Sequence, residues 1–327
     1  MRPGPIGNTL AAGPALRALR LGWPDARVTI LVERLGEETL RGCPYIDEFL
    51  IYEKNGEHSG AMGWLRTIRE IRKREFTHVI LSKRYFRMSF MGWLSGAPVR
   101  VGFKGYGYKL SEAVAWHPGR SVIDTNLDLV ATLGITPAGR ELEIWPGNDD
   151  KNRVSRFLEE RGLIDHPMRV AVHVGGVTQA QIGWPIERYA ELVVALEKQY
   201  SAKPIFIGSR IDIDNINQIS SLAGRQFPET ASEGMNIRAT AHLISLCKFF
   251  IGADSGPSHL AHAVKTPGII YYGPQDDWET NVMRWKPEGD LYIAAGPVAD
   301  GSHPDVRVML GHVSELIHRM HEAGRWN

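Results

Sequence analysis

Short apolar runs rich in β-branched and aromatic residues alternate with helix-like stretches along most of the chain. This alternation is typical of parallel β-sheets whose strands are joined by crossover helices, so it predicts an α/β fold. The runs form two groups of four, which predicts two domains of the same class. The predicted strands are 28–32, 48–52, 77–81 and 99–102 in the first half, and 169–174, 203–207, 248–252 and 267–273 in the second.

Segment 143–150 separates the two groups and carries a proline, a glycine, an asparagine and two aspartates. Such residues favour loops and helix N-termini. The chain has 327 residues, enough for two domains with separate cores. We therefore predict an N-terminal domain over 1–146 and a C-terminal domain over 147–327. An amphipathic stretch over 308–322 is expected to pack on the second as a terminal helix.

The N-terminal domain lacks the strand with which such a domain usually opens. The sequence begins in the loop-like RPGPIGN and continues directly into a helix-like stretch. We expect either that the missing strand is encoded upstream of this start or that the domain folds without it.

Composition excludes several classes of protein. Hydrophobic residues make up 43% of the chain and charged residues 23%, which is ordinary for a globular protein and not for a disordered or collagen-like one. No run approaches the ~18 consecutive apolar residues of a membrane span, and the N-terminus has no apolar signal-peptide region. We therefore predict a cytoplasmic protein, in which Cys43 and Cys247 are buried free thiols.

The net charge of +1 hides an uneven distribution, because residues 66–109 carry eleven Lys and Arg against two acidic residues. Part of this charge follows a predicted strand, at the edge where parallel sheets bind ligands, so it predicts an anionic acceptor or an anionic membrane surface. A solvated helix face around 66–74 is the other interpretation. Nucleic acid is not predicted, since no nucleic-acid-binding motif accompanies the charge. The candidate acceptor-binding residues are Lys83, Arg84, Arg87 and Lys104.

The strongest local signal is GADSGPSHLAH over 252–262, a polar turn between a predicted strand and a predicted helix. Backbone N–H groups from Ser255 to Ser258, together with the helix dipole, favour a bound anion, and a diphosphate fits such a turn. The alternative is purely structural: Asp254 caps the helix and His259 is a hydrogen-bonded histidine of the core.

A second loop, 208–212, follows another predicted strand, and an acidic residue there commonly binds a ribose hydroxyl. Asp212 and Asp214 are equally compatible with the acids of a helix N-terminus. Their D-x-D spacing also fits metal-dependent transferases, but a first helical turn is awkward for chelation. His259 and His262 have no visible third ligand, so no metal site is predicted. GxGxxG after a strand, the P-loop and GxSxG are all missing, so dehydrogenase, kinase-like and α/β-hydrolase functions lack support.

Segment 254–274, DSGPSHLAHAVKTPGIIYYGP, resembles a late motif of glycosyltransferase family 9, the ADP-heptose:lipopolysaccharide heptosyltransferases. That motif reads D-[ST]-G-x-x-H-x-x-x-A-x-x-x-P-x-x-x-x-[FY]-G-P. Further segments resemble the family in the same order, so that the resemblance spans 3–275. They are 7–32, 43–52, 126–135 and 184–196.

The resemblance implies a GT-B fold, with two Rossmann-like domains facing each other across a cleft. It implies an inverting, metal-independent transferase without a cofactor, whose donor substrate, an ADP-sugar, binds the C-terminal domain and whose acceptor binds the N-terminal one. Among its donor-site residues, Thr178 would contact phosphate, Asp212 ribose and Met235 adenine. The residues around the diphosphate and sugar would be Asp254, Ser255, Gly256 and His259.

Two positions depart from the family pattern. The family's phosphate-binding lysine is Ile182 here, and the acidic residue taken as the base that deprotonates the acceptor hydroxyl is Asn8. Each replacement removes a charge that the chemistry would use. His117 and Asp124 are the other candidates for a base in the first domain.

We therefore predict a glycosyltransferase that moves a heptose-like sugar to a lipopolysaccharide-core or related glycan acceptor, which is an anionic glycolipid or oligosaccharide. One alternative is a catalytically impaired GT-B protein that binds a nucleotide sugar or glycan without turning it over. Another is a nucleotide-sugar epimerase, which shares the architecture. The expected location is the cytoplasm, with peripheral contact at the inner-membrane face.

Overall fold

The structure is a computed structural model that describes residues 4–175, 183–230, 232–274 and 278–326. The chain divides into two compact units, Met1–Trp145 and Pro146–Asn327. Each unit contains parallel strands joined through helices, so the predicted α/β class is confirmed. No helix of the described ranges is long and apolar enough to cross a membrane.

From residue 4 onward, the first unit holds five strands in two separate parallel sheets, ordered β1-β2 and β3-β4-β5. Its helix α6, Val122–Ala131, is capped by the Ser121 hydroxyl, which accepts a hydrogen bond from the N–H of Ile123. The strands are β1 Thr29–Val32, β2 Glu48–Ile51, β3 His78–Ile80, β4 Val99–Phe103 and β5 Glu112–Val114, and the helices are α1 Ile6–Leu10, α2 Gly13–Gly22, α3 Arg34–Leu40, α4 Gly60–Arg72, α5 Phe86–Leu94 and α6 Val122–Ala131.

A cavity of about 180 Å³ lies between the two sheets of the first unit. Residues of β1 and β3 line it together with apolar side chains of α2 and α6. Each of these strands pairs on one side only, β1 with β2 and β3 with β4, within the part of the chain that the structure describes. The cavity therefore separates two sheet edges. In the described ranges, α1 and α2 precede β1 and no strand comes before them.

The second unit is built on one five-stranded parallel sheet, ordered β10-β9-β8-β6-β7. The side chains of its central strands are buried, and the predicted terminal helix, α13, packs Val313 and Leu316 into the same core. Cys247, like Cys43 in the first unit, is a buried free thiol, as predicted. The strands are β6 Arg169–His173, β7 Lys203–Phe206, β8 Phe249–Ala253, β9 Gly268–Tyr271 and β10 Tyr292–Ala295, and the helices are α7 Asn148–Glu160, α8 Ile186–Tyr200, a 3-10 turn Arg210–Asp212, α9 Ile213–Leu222, α10 Ile237–Ser245, α11 Gly256–Ala263, α12 Trp278–Trp285 and α13 Val306–Glu322.

The first helix of this unit is fixed by a buried carboxylate. Asp150 Oδ2 accepts a hydrogen bond of 2.8 Å from the N–H of Gly147, at the N-terminus of α7. Its Oδ1 accepts another of 2.7 Å from Asn236, the N-cap residue of α10, and Arg238 forms a salt bridge with Oδ2 at 3.2 Å. The carboxylate thus joins the N-termini of α7 and α10. Without it, hydrogen-bond donors at both helix starts would lack their acceptor.

We predict that Asp150→Ala lowers the free energy of unfolding by about 3 kcal/mol, because breaking a buried, hydrogen-bonded ion pair leaves its partners desolvated without compensation. Urea denaturation followed by tryptophan fluorescence measures the change. Asp149→Ala is the matched control, since Asp149 is the exposed neighbour in the same helical turn. Equal losses from the two substitutions would show that the network around Asp150 contributes nothing beyond the helix dipole.

Candidate functional site

The ends of two central strands approach each other closely in the second unit. A Cβ atom at Gly252 would lie 2.8 Å from the carbonyl oxygen of His173, which is closer than real Cβ atoms come to such an oxygen. A Cβ at Gly175, whose φ is +86°, would lie 3.1 Å from that of Ala253. Glycine at both positions therefore lets β6 and β8 end side by side, and the turn after β8 begins at that edge.

The turn after β8 leads directly into α11. The N–H of Asp254 donates to the carbonyl of Tyr271 on β9, which holds the turn on the sheet. Ser258 Oγ donates to the carbonyl of Ser255 at 2.7 Å and accepts from the Ser255 N–H at 3.2 Å. Gly256 starts the helix. The first N–H groups of a helix lack acceptors within it, so this edge of the sheet favours an anion, as the sequence predicts.

Asp254 places a carboxyl group beside this helix start. Its Oδ1 is buried, accepts no hydrogen bond within the described part of the chain, and lies 3.8 Å from His259 Nε2. Burial raises the pKa of Asp254 to about 7, although the positive charge of Arg284 lowers it in part. The carboxyl group is therefore close to half protonated at neutral pH, which is unusual for an aspartate.

Two histidines follow on the same helix, His259 buried and His262 half-buried. Burial lowers the pKa of both His259 and His262 to about 4, so both are neutral at pH 7. The His259 ring packs against that of Trp285 on α12, with 5.0 Å between the ring centroids. A neutral imidazole has one N–H donor and one acceptor nitrogen, so it can donate a hydrogen bond without adding charge.

Helix α12 was not predicted from the sequence, although its Arg284 lowers the pKa of Asp254 and its Trp285 packs on His259. Tyr272 was missed as well: its hydroxyl group is buried, accepts and donates no hydrogen bond in the ranges described, and the charge of Asp254 adds to the effect of burial in raising its pKa. The available signal was the run Tyr271-Tyr272 at the end of a predicted strand, which places one ring on each face of the sheet.

The other predicted donor-site residues lie on separate loops of the same unit. Asp212 is buried, and its Oδ2 accepts hydrogen bonds from the N–H and hydroxyl groups of Ser209. It therefore stabilises the start of a helix, which is the alternative role that the sequence left open. Its Oδ1 is buried too and has no hydrogen bond within the described residues, which leaves ribose binding a prediction. Met235 is half-buried and lines a cavity of about 280 Å³ with side chains of α7. Thr178 and Ile182 lie outside the described residues.

In the first unit the structure brings Asn8 and Lys83 together. Asn8 lies on α1, and a Cβ atom added at Gly4 would lie 3.0 Å from the Lys83 ammonium nitrogen and 3.8 Å from Asn8 Cβ, so both side chains border Gly4. Asp124, a candidate base, forms a salt bridge with Arg140. His117 is exposed.

The other predicted acceptor-binding cations differ in their surroundings. The Arg84 guanidinium lies 3.4 Å from the centroid of the Trp116 ring and 5.0 Å from that of Tyr106, so it is held by cation–π contacts. Arg87 and Lys104 are exposed. Their role toward an acceptor remains a prediction, with Lys83 the member that lies beside Asn8.

Within the described ranges, no group of three His, Cys, Asp or Glu side chains is placed to hold a metal ion. In the D-x-D pair, for example, Asp212 is buried and its Oδ2 accepts a hydrogen bond from the N–H of Ser209.

Comparison with known proteins gives a family and a fold. The sequence profile of glycosyltransferase family 9 (heptosyltransferase) matches residues 64–296, more than two thirds of the chain. The chain is 22% identical over 305 residues to lipopolysaccharide heptosyltransferase 3 of Escherichia coli (strain K12), covering 85% of this chain and 84% of that protein.

Solved structures share the fold. The crystal structure of the glycosyl transferase family 9 from Veillonella parvula superposes with a TM-score of 0.84 at 19% identity, covering 97% of this chain and 96% of that one. The E. coli heptosyltransferase WaaC with ADP superposes with a TM-score of 0.72 at 16% identity, over 96% and 98%. The predicted GT-B fold class, with Rossmann-like domains, is confirmed by this likeness.

The raised pKa of Asp254 predicts an unusual effect of substitution. Its carboxyl group ionises near pH 7 in the folded protein and near its ordinary value of 3.8 when unfolded, so its ionisation destabilises the fold progressively as the pH rises between these values. We expect Asp254→Asn to raise the free energy of unfolding at pH 8 by as much as about 4 kcal/mol, and by much less at pH 5.

Urea denaturation at the two pH values measures this difference. His259 and His262 titrate in both proteins, so their contribution cancels in the comparison. The exposed Asp165 provides the control, Asp165→Asn, which should change stability little at either pH. A loss of stability in Asp254→Asn that is the same at pH 5 and pH 8 would contradict the proposed neutral carboxyl group.

Proposed function

The chain belongs to glycosyltransferase family 9, and from this premise we propose that it transfers a heptose-like sugar from a nucleotide-diphosphate donor to a lipopolysaccharide-core or related glycan acceptor. The observation that carries the proposal is the turn after β8, where a helix N-terminus, a buried carboxyl group and a neutral histidine meet at one edge of the sheet. The relative from E. coli is a lipopolysaccharide heptosyltransferase, which supports this sugar and this acceptor class.

An ADP-sugar is the proposed donor. The neighbouring WaaC structure contains ADP, and the loops that would surround a nucleotide here follow strands of one sheet. We place the diphosphate at the start of α11, near Ser255 and Gly256, because the helix dipole and first-turn N–H groups stabilise phosphate oxygens. Met235 and Asp212 are the proposed contacts for adenine and ribose, and Thr178 for phosphate.

The proposed reaction is inverting and metal-independent. The acceptor oxygen attacks the anomeric carbon opposite the diphosphate and its proton passes to solvent water, while the carbon–oxygen bond to the diphosphate breaks and the electron pair leaves with the nucleoside diphosphate. Negative charge grows on that leaving group, so donors already aimed at it stabilise the transition state more than the ground state. The described residues offer such donors without a cluster of metal ligands.

Asp254 and His259 have complementary parts in this step. A diphosphate next to Asp254 raises its pKa above the value of about 7 in the free protein, so that the bound state holds the protonated form. A protonated carboxyl group donates a hydrogen bond to an oxygen of the donor where a carboxylate would repel it. The neutral His259 donates one more through its ring N–H.

Acceptor binding is proposed for the first unit, with Asn8 at the position of the family's base. Lys83 beside it supplies positive charge for an anionic acceptor, and Arg87 and Lys104 add to the local potential. The amide of Asn8 cannot take the acceptor proton, so we propose that Asn8 orients the hydroxyl group through its carbonyl oxygen and that transfer is slow. The proposed location is the cytoplasm, with peripheral contact at the inner membrane.

The amide at Asn8 also favours a second candidate, a protein that binds the nucleotide sugar or glycan without turnover. Both candidates require the donor site of the second unit. They differ only in whether a product forms.

A transfer assay separates them and tests the proposal. We expect the protein to release ADP from ADP-heptose only with a heptose-deficient lipopolysaccharide acceptor, to add one heptose to its mass, and to keep its rate in a chelator. Asp254→Ala should weaken binding of ADP-heptose by roughly tenfold, through the loss of one charge-assisted hydrogen bond, and Asp149→Ala should not. Binding without product supports the second candidate, and no binding of any nucleotide sugar by the folded protein contradicts both.

We predict that Asn8→Asp raises kcat toward the ~10²–10⁴-fold that a positioned general base contributes. The rate should then acquire a dependence on pH near the pKa of a carboxyl group, with activity lost as the pH falls and the new base is protonated. Steady-state kinetics across pH measure both effects, and Asn8→Ala is the control, since it removes the amide without adding a base. A fast wild-type enzyme that Asn8→Asp slows would show that the base lies elsewhere.

A further inference from the structure

Helix α12 packs on the second unit at the carboxyl ends of its strands. A Cβ atom added at Gly296, the residue directly after β10, would lie 2.8 Å from Cη2 of the Trp278 ring, so this ring of α12 covers the end of β10. Two turns further on, the Trp285 ring packs on that of His259, with 5.0 Å between the centroids. The helix is therefore held on one side by the end of β10 and on the other by α11.

Arg284 lies on α12 next to the contact with His259. Its guanidinium carbon is 5.9 Å from the centroid of the Trp285 ring, against which the His259 ring also packs. His259 Nε2 is in turn 3.8 Å from Asp254 Oδ1. The Arg284 side chain is half-buried, and its positive charge lowers the pKa of Asp254 against the effect of burial. Packing and electrostatics thus both place Arg284 beside the turn after β8.

The order of the strands indicates which part of a nucleotide sugar would meet this charge. The sheet is ordered β10-β9-β8-β6-β7, and Asp212, the proposed ribose contact, follows the outer strand β7. The proposed diphosphate site follows β8 in the middle of the sheet, and α12 packs on the end of the opposite outer strand, β10. A nucleotide whose ribose lies beside β7 therefore has its sugar-linked phosphate on the side of α12.

We infer that the Arg284 guanidinium binds the sugar-linked phosphate of the donor's diphosphate. The inference rests on the proposed function and adds to it a residue and a direction for the bound donor. A guanidinium group keeps its charge at any physiological pH and forms paired hydrogen bonds with phosphate oxygens. His259 and His262 are neutral at pH 7, so neither can supply this charge.

This position of Arg284 suits the chemistry of the leaving group. When the bond from the anomeric carbon to the oxygen of this phosphate breaks, the electron pair stays on that oxygen. A cation held next to it stabilises the growing negative charge more than it stabilises the intact donor. Ile182, where the family has a phosphate-binding lysine, carries no charge, and Arg284 would supply positive charge from a different element.

Calorimetric titration of the full chain with ADP and with AMP tests the inference, because only ADP carries the second phosphate. We expect the wild type to bind ADP more tightly than AMP. Arg284→Gln should weaken ADP binding by roughly 20-fold, through the loss of a charge-assisted contact. Its binding of AMP should change by less than about twofold, since charges at a distance are screened.

Two further variants control for charge and for position. Arg284→Lys should weaken ADP binding less than Arg284→Gln does, because lysine keeps the charge and lacks the forked geometry. Lys286→Gln removes the charge of an exposed lysine two residues further along the chain, and should bind both nucleotides like the wild type. Circular dichroism melting shows that each variant folds.

A second measurement needs no nucleotide. Removing the positive charge in Arg284→Gln should raise the pKa of Asp254 in the free protein, whereas Arg284→Lys should leave it nearly unchanged. NMR of the aspartate carboxyl carbons across pH measures this pKa, with the Asp254 signal identified by its absence in Asp254→Asn. Tyr272 and His259, which also act on or face this carboxyl group, are the same in all of these proteins.

Separate outcomes overturn the inference and the proposed function. If Arg284→Gln binds ADP as the wild type does, the phosphate lies elsewhere and the proposed function still stands. An equal loss of ADP and AMP binding, or an unchanged pKa of Asp254, would mean that Arg284 acts through the packing of α12 and not on the phosphate. A folded wild type that binds neither nucleotide contradicts the donor site and the inference together.

Discussion

The close approach of β8 to β6 is the constraint on which the candidate site depends. The absence of a side chain at Gly252 lets the strand pass against the carbonyl oxygen of His173, and so fixes where β8 ends. Asp254 and the start of α11 follow within four residues of that contact. A larger residue at 252 would push the strands apart, and the turn that carries Asp254 would move with β8.

Burial then determines the electrostatic character of the site. The same desolvation that keeps His259 and His262 neutral makes Asp254 reluctant to ionise. At neutral pH the two histidines therefore carry no charge, and Asp254 is only partly ionised. Buried ionisable groups of this kind reduce the stability of the free protein. Natural proteins commonly accept such a loss at positions that serve function.

The fold was predictable where strands are buried on both faces, because such strands appear as uninterrupted apolar runs. Half of β10 is alanine, a residue depleted in strands, and β5 is exposed, so neither stands out from its surroundings. Helix α12 carries Trp278, Val282 and Trp285 at helical spacing, a signal that was missed although the helix places Trp285 on His259. The position of Asp254, Ser255 and His259 at the turn after β8 and the start of α11 could be predicted from the sequence, because a predicted strand precedes them and a predicted helix follows. The contact of Arg84 with Trp116 could not, since it depends on how distant loops pack.

The divided sheet of the first unit has a consequence for cooperativity. In the second unit five strands share one hydrogen-bonded ladder, so opening any one of them disturbs the whole core. In the first unit the hydrogen bonds end at the cavity between β1 and β3, and its buried apolar residues fall into several small clusters. Small clusters open at lower free energy than one continuous core. Backbone amides of the first unit should accordingly exchange with solvent sooner, and heat should melt the chain in two stages, with the second unit the last to unfold.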